Sequence, residues 1–175
     1  MTVMEAIEAR WSVRKYLDRP VETEKLAQIM EAGRLAPTAS NEQKWKHIAV
    51  TDPALIREMV AACKDVQWVG TAPVILVSCA EGDRTMLCGQ SARTIDCAIG
   101  MSYMTLEAIE QGLGFCWLGW FYPDKVRRIL NLPDNYMVVA VATVGYPAAQ
   151  GRRSSKKSAE EVIVYNRMQN GGGTA

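Results

Sequence analysis

The sequence feature that most constrains the fold is a long apolar pattern between residues 89 and 111. Its apolar residues recur at helical spacing and cover more than one face of the helix they predict. They are Ala92, Ile95, Cys97, Ile99, Met101, Tyr103, Met104, Leu106 and Ile109. Gly112 and Gly114 are expected to end this helix. Because its apolar surface is so broad, the helix must be buried on two sides.

The length and composition predict a single globular domain. The chain has 175 residues, of which 49% are apolar and 22% are charged. It is long enough to bury a sizeable core and too short for two full catalytic domains. The predicted domain spans residues 1–168. Residues 169–175 contain three consecutive glycines and are expected to be disordered.

Charge and cysteine usage exclude several classes of protein. Lys and Arg number 20 against 19 Asp and Glu, so a net charge of +1 provides no field to hold nucleic acid or an anionic membrane. Glu5 and Glu8 interrupt what a signal peptide would keep apolar, and no uncharged run is long enough to span a membrane. Five scattered cysteines and one histidine offer no plausible metal set. We expect buried, reduced thiols in a cytoplasmic protein.

The predicted helices and strands interleave irregularly along the chain. Capping, proline and periodicity patterns predict helices at residues 3–9, 23–34, 89–111 and 125–130, and one that begins at Pro53. Apolar and β-branched runs predict strands at residues 47–51, 73–79, 115–118, 137–144 and 161–165. This order favours an α+β sandwich, with a central mixed sheet flanked by helices, over a doubly wound Rossmann unit. The last strand is isolated and should pair with a sheet edge of the same or a neighbouring subunit.

Two loops carry side chains suited to binding a ligand. Arg10 and Arg14 flank the hydroxyl of Ser12, and two guanidinium forks at this spacing can converge on one phosphate. The alternative is ordinary surface charge. Residues 36–45 are rich in small hydroxyls and amides that could hydrogen-bond a planar heterocycle. The alternative here is a helix-to-strand loop made of good turn formers.

Other catalytic patterns are weak or absent in the sequence. The glycines after residue 111 nearly match a dinucleotide fingerprint, but Trp117 stands where the last glycine is needed, and the glycines leave a helix instead of a strand. His47 lies in an alternating strand, where a structural role is expected. The sequence contains no Gly-x-Ser-x-Gly elbow and no pair of neighbouring carboxylates that could be nominated as catalytic.

Taken in order, these segments resemble the nitroreductase family of FMN-dependent oxidoreductases over residues 4–166. The resemblance rests on the shared order and spacing of several short motifs. They are Arg10, Ser12, Arg14 and Tyr16; Ala36, Pro37, Thr38, Asn41, Gln43 and Trp45; Ala72 and Pro73; the segment 112–117; the segment 144–147; and the segment 160–164. Lys44 departs from the family's proline, and Ser154 departs from a lysine found in some relatives.

The resemblance implies an α+β homodimer with a mainly antiparallel sheet, in which the long central helices form the interface and the C-terminal segments embrace the partner. Two FMN molecules would lie at that interface. Arg10, Ser12 and Arg14 would hold the phosphate and ribityl end or the pyrimidine edge. Lys156 in the basic tail would add a phosphate contact, with Arg153 and Lys157 as alternatives for it. Pro37, Thr38, Ala39, Asn41 and Gln43 would come from the other subunit to the isoalloxazine. Trp117, Leu118 and Gly119 would bring backbone near flavin N5, and Gln67 would reach the pyrimidine edge.

The implied activity is hydride transfer from NADH or NADPH through flavin N5 to a nitroaromatic, quinone or similar small aromatic acceptor, with ping-pong kinetics. The flavin carries this chemistry, so no catalytic side chain is expected. Acceptor contacts are expected in the loop near residues 81–90. The alternatives are a specialised flavin chemistry such as reductive dehalogenation, and a flavin-binding storage or sensor protein without efficient turnover.

Overall fold

A computed structural model describes residues 1–151 and 154–168 of the chain. The helices of these parts are α1 (Val3–Ala9), α2 (Thr23–Leu35), α3 (Pro53–Ala62), α4 (Ala92–Glu110), α5 (Pro123–Ile129) and α6 (Ala159–Val162). The strands are β1 (Trp45–Val50), β2 (Val74–Glu81), β3 (Gly114–Leu118) and β4 (Tyr136–Gly145). Short 3-10 turns lie at Ala39–Asn41 and Gln67–Thr71. Arg153 and residues 169–175 lie outside the described residues.

The four strands form one sheet in the order β1-β2-β4-β3, and every ladder in it is antiparallel. The only parallel pairing found in the described residues is an isolated bridge between Ser12 and Phe115 on the free edge of β3. The α+β sandwich is therefore confirmed. Its mixed character is limited to this one bridge.

Helices cover both faces of the sheet. Successive side chains of β2 alternate between two cores, because strand residues point to opposite faces in turn. Leu76 packs on one face with Met101 and Met104 of α4, in a core that also takes in α2. Val77 packs on the other face with Met59 of α3 and Val126 of α5. A strand buried on both faces explains the continuous apolar run that predicted β2.

Helix α4 begins three residues later than the pattern predicts. Ser91 caps it by accepting the Thr94 amide at 3.1 Å, and Gly89 before it has a φ of 82° that a helix cannot include. One side of α4 is buried against the sheet and α2. The opposite side leaves Ile95 37% and Tyr103 44% exposed. A single chain therefore buries only one of the two sides of α4 that the apolar pattern predicts to be buried.

The predicted strand at residues 161–165 is wrong. The segment begins as the short helix α6, which Ser158 and Glu161 start with a reciprocal capping box. It continues as exposed chain, with Val162, Ile163 and Val164 each more than half exposed. Two glutamates in the first turn favour the helix, and no strand among the described residues pairs with the segment.

Two further expectations are resolved by the described residues. Cys63, Cys79, Cys97 and Cys116 are buried free thiols, but Cys88 is exposed in the loop before α4, so the expectation of buried thiols is wrong for this one. No helix in residues 1–151 or 154–168 is long and apolar enough to cross a membrane.

Candidate functional site

The Arg10–Arg14 segment lies along the outer edge of β3. Helix α1 ends at Ala9, and the chain then runs beside the strand, where the Val13 amide donates to the Phe115 carbonyl at 3.2 Å. Val13 is fully buried, whereas Ser12 is half-buried and Arg14 is exposed. Side chains alternate along an extended chain, so Ser12 and Arg14, which flank Val13, point away from the core that buries Val13.

Tyr16 fixes the far end of this segment. Its hydroxyl lies 3.0 Å from the Val13 carbonyl oxygen and 2.8 Å from the Thr143 hydroxyl. Burial raises the pKa of Tyr16 well above its usual value, so the phenol stays neutral and remains a hydrogen-bond donor. The aromatic position of the motif therefore has a structural role, which is to hold the arginine segment on the sheet.

Arg10, Ser12 and Lys156 line one cavity of about 500 Å³. Ser12 and Arg14 line an adjoining cavity of about 380 Å³, and Trp11 belongs to both. Arg10, Arg14 and Lys156 make no ion pair within the described residues. One carboxylate, that of Glu8, also lines the larger cavity. Two guanidiniums, an ammonium and a hydroxyl form a donor set that suits a phosphate ester.

Cys116 lies on β3 next to Phe115, the residue that bridges to Ser12. Burial raises the pKa of this thiol, which keeps it neutral. Arg14, the Ser12 hydroxyl and Arg10 each offset part of that rise in pKa. Arg10, Ser12, Arg14 and Lys156, which line the two adjoining cavities, are called the arginine cluster below.

The loop of residues 37–43 has an unusual backbone that is held by hydrogen bonds. Ser40, Asn41 and Gln43 have φ values of 55°, 54° and 52°, which non-glycine residues adopt only at a cost. The Thr38 hydroxyl accepts the Gln43 amide at 3.1 Å, and the Gln43 side chain turns back to the Asn41 carbonyl at 3.3 Å. The Ala39 amide donates to Asp96 of α4 at 2.8 Å. Pro37 at the start of the loop is exposed.

The structure does not bring the two predicted halves of the site together within one chain. The loop is attached to α4 at Asp96, whereas the indole of Trp117 on β3 donates to Thr105 of the same helix at 3.1 Å. Nine residues of helix correspond to roughly 13 Å along the axis. No residue of the loop lines either cavity beside Arg10 and Arg14.

The remaining predicted residues lie at the end of β3 and in the 3-10 turn before β2. Trp117 is 41% exposed at the end of β3, Leu118 is half-buried and Gly119 is open to solvent. Gln67 is exposed, and its side-chain amide donates to the Asp65 carbonyl at 3.0 Å. The next residue, Trp68, packs against the small core around Val13. Gln67 therefore belongs to the same side of the molecule as the arginine cluster.

The sequence analysis missed a buried ion pair in α4. Arg93 and Asp96 are 3% and 2% exposed, and their side chains meet at 3.3 Å. Asp96 is the residue that anchors the loop through Ala39. The available signal was the presence of two opposite charges three residues apart in an otherwise apolar helix, a spacing that places them on one face.

Comparison with known proteins assigns the chain to a family. Residues 7–81 and 62–146 match the sequence model of the Nitroreductase family. The chain belongs to the nitroreductase family. It is 33% identical over 157 residues to a Methanothermobacter thermautotrophicus protein named as an NADH dehydrogenase/NAD(P)H nitroreductase, a match that covers 85% of this chain and 78% of that protein.

Two further relatives place this nitroreductase-family chain among oxidoreductases. It is 27% identical over 173 residues to a Bacillus subtilis FMN reductase [NAD(P)H], with 89% of this chain and 68% of that protein covered. A Parabacteroides distasonis structure, also named as an NADH dehydrogenase/NAD(P)H nitroreductase, is 32% identical, has a TM-score of 0.81, and covers 95% of this chain and 98% of its own. The chain is therefore an oxidoreductase with the nitroreductase fold.

Proposed function

We propose that this protein is an FMN-dependent NAD(P)H oxidoreductase. The observation that carries the proposal is the convergence of Arg10, Ser12 and Lys156 on one cavity at the edge of β3, with Arg14 in the adjoining one. The relationship to an FMN reductase in Bacillus subtilis supports the choice of flavin.

The arginine cluster would bind the FMN phosphate. Bidentate guanidinium contacts suit a phosphate because the two parallel N–H donors of the fork can each reach one of its negatively charged oxygens. The half-buried Arg10 loses less conformational freedom on binding than a fully exposed side chain would. Lys156 would add a third positive charge from beyond β4, and Arg153 is a second candidate for that contact. Backbone from Trp117 to Gly119 and the amide of Gln67 would border the ring system.

The loop of residues 37–43 would reach the flavin from a second copy of the chain. In one chain it is attached to α4 well away from the arginine cluster, so a complete site needs a partner. The exposed apolar side of α4, with Ile95 and Tyr103, provides a surface for that partner. The exposed apolar segment around Ile163 and Val164 provides a C-terminal arm that could be exchanged between subunits. We therefore propose a homodimer with two sites.

The protein's part in the reaction is to bind and orient. When bound, FMN would accept a hydride from NADH or NADPH and pass electrons to a nitroaromatic, quinone or similar acceptor. The chain has no dinucleotide fingerprint that would make a separate nicotinamide site, so donor and acceptor would occupy the same place in turn. Because the described cysteines are all unpaired thiols, we also propose a cytoplasmic location.

Steady-state kinetics test this proposal. We expect parallel double-reciprocal lines when NADH or NADPH is varied at several fixed concentrations of a quinone or nitroaromatic, and a flat non-reducible aromatic acid should compete with both substrates. Intersecting lines would contradict alternate occupancy of one site. Bound FMN that NAD(P)H does not reduce would instead favour a storage or sensor role.

A further inference from the structure

Four ionisable side chains link two loops and helix α4 in an unbroken chain. Arg84, in the loop before α4, meets Glu42 at 2.5 Å. Glu42 pairs in turn with Arg93, and Arg93 meets Asp96 at 3.3 Å. Arg93 and Asp96 are the only charged residues buried in the part of the chain that the structure describes. The two positive and two negative charges balance.

Stability alone does not account for this arrangement. A buried ion pair has a desolvation penalty that its attraction often fails to exceed, and apolar residues of similar volume are usually at least as stabilising. The Nε atoms of Arg84 and Arg93 are buried with no hydrogen-bond partner among the described residues, which adds a further penalty. Such a network is more readily explained by the geometry that it fixes.

The geometry it fixes is that of the 37–43 loop. Asp96 accepts the Ala39 amide at 2.8 Å, and Glu42 is itself a residue of this loop. Arg84 also lies 3.5 Å from the Ser40 hydroxyl. Ser40, Asn41 and Gln43 all have positive φ, a backbone that persists only where its surroundings hold it. The network holds Ala39 and Glu42, the residues on either side of Ser40 and Asn41.

The other end of the network is the loop in which acceptor contacts are expected. The Arg84 carbonyl accepts the Ala92 amide at 2.9 Å, and Asp83 accepts the Ser91 hydroxyl at 2.7 Å, so this loop is fixed to the start of α4. Leu87 and Cys88 at its tip are exposed. Among the ion pairs of the described residues, Glu42 is the one carboxylate that pairs with both Arg84 of this loop and Arg93 of the helix.

We propose that Glu42 is a positioning residue that couples the acceptor-side loop, through Arg84, to the flavin-contacting loop, through Arg93 and Asp96. Glu42 touches neither cofactor nor substrate in this account and acts through the backbone of residues 38–41. The inference rests on the proposed function, because it takes the 37–43 loop as a flavin contact.

Two substitutions separate the two arms of the coupling. Glu42→Gln keeps the side-chain shape but removes its charge, and it should weaken FMN binding by roughly tenfold, the scale of coupling between residues in one network. It should also reduce the visible circular dichroism of bound FMN, which reports how rigidly the ring is held. Arg84→Ala cuts the acceptor-side arm, so it should raise the KM for the acceptor severalfold and weaken FMN binding less than Glu42→Gln does.

Glu31→Gln is the matched control. Glu31 makes an exposed two-point pair with Arg34 on α2, at 2.6 Å for each contact, and is not connected to either loop. The FMN affinity, the visible circular dichroism of bound FMN and the KM values of Glu31→Gln should equal those of the parent. Thermal unfolding of the flavin-free proteins checks that each variant folds. If Glu42→Gln does not fold, the acceptor KM of Arg84→Ala tests the inference.

The possible outcomes distinguish failure of this inference from failure of the proposed function. Parent-like FMN affinity and dichroism in folded Glu42→Gln would overturn the inference, as would a parent-like acceptor KM in Arg84→Ala. Failure of the parent itself to bind FMN would instead overturn the proposed function.

Discussion

At the scale of single residues, Arg14 is the most direct test of the phosphate site. Arg14→Ala should weaken FMN binding by roughly 10- to 100-fold, or about 1.5–3 kcal/mol, the range for a hydrogen bond to a charged group. Arg14→Lys should recover only part of this loss, because an ammonium lacks the bidentate fork. Fluorescence titration of the flavin-free protein measures both. Arg57→Ala, an exposed arginine on α3, is the control, and equal affinities in all variants would show that Arg14 is only surface charge.

His47 illustrates a residue whose role is structural. Its Nδ1 lies 3.0 Å from the Ser78 hydroxyl, its ring packs on Trp45, and a Cβ on Gly100 would approach the ring to 2.8 Å. Burial lowers its pKa, so the folded protein keeps the imidazole neutral. This agrees with the structural role that the alternating strand pattern predicts for it.

The lowered pKa predicts a pH dependence of stability. Below about pH 6.5, the ordinary histidine pKa, the unfolded chain takes up the proton before the folded chain does. The histidine therefore contributes stability above that pH, and this contribution is lost as the pH falls toward the lower folded-state pKa. His47→Gln cannot titrate, so the difference in unfolding free energy between parent and variant should shrink on acidification. Urea unfolding from neutral to mildly acidic pH measures it, and a constant difference would show that His47 titrates alike in both states.

At the scale of elements, a pair of glycines makes room for the arginine segment. Gly114 of β3 and Gly145 of β4 face each other in the ladder. A Cβ on Gly114 would come within 2.4 Å of the Val13 side chain, and one on Gly145 within 2.5 Å of Pro73. Because Gly114 has no side chain, Val13 packs closely against β3, and Ser12 next to it bridges to Phe115 of that strand.

Gly114→Ala should therefore destabilise the protein by roughly 1–3 kcal/mol, the usual result of overpacking a core. It should also weaken FMN binding, since it displaces the arginine segment from the strand. Gly119→Ala is the matched change at the other end of β3, where a Cβ meets nothing within 4 Å, and it should leave stability nearly unchanged. Thermal unfolding compares them, and equal stability of the two variants would mean that the segment does not depend on this contact.

The comparison of prediction with structure shows what local patterns determine. The helix at residues 3–9 was predictable from Thr2 and Glu5, because a capping box involves only neighbouring residues. The strand at 161–165 was wrong because β propensity is decided by what a strand pairs with, and the competing helix start at Ser158 is local and strong.

The candidate site was only partly predictable for the same reason. Arg10 and Arg14 could be nominated from their spacing, because two guanidiniums near a hydroxyl have a chemical meaning in sequence alone. The roles of Arg93 and Glu42 could not, because they depend on which loop packs against the start of α4. That contact joins residues 51 positions apart and exists only in the folded chain.

At the scale of the whole molecule, the exposed apolar surface points to a second copy of the chain. Ile95 and Tyr103 of α4 are joined by Met4 and Ile7 of α1, which are 59% and 48% exposed. The C-terminal segment also exposes apolar side chains, with Tyr165 84% exposed. Large apolar side chains exposed on two neighbouring helices are typical of an interface. A dimer would also bury the second side of α4, which the apolar pattern of its sequence predicts to be buried.

The central claim is that one FMN binds per chain in a site that two chains complete. Native mass spectrometry of the protein after incubation with FMN tests this most directly, because it counts chains and flavins in the same particle. We predict a particle of two chains carrying two FMN molecules. A single chain that carries FMN, or a dimer that binds none, would contradict the account.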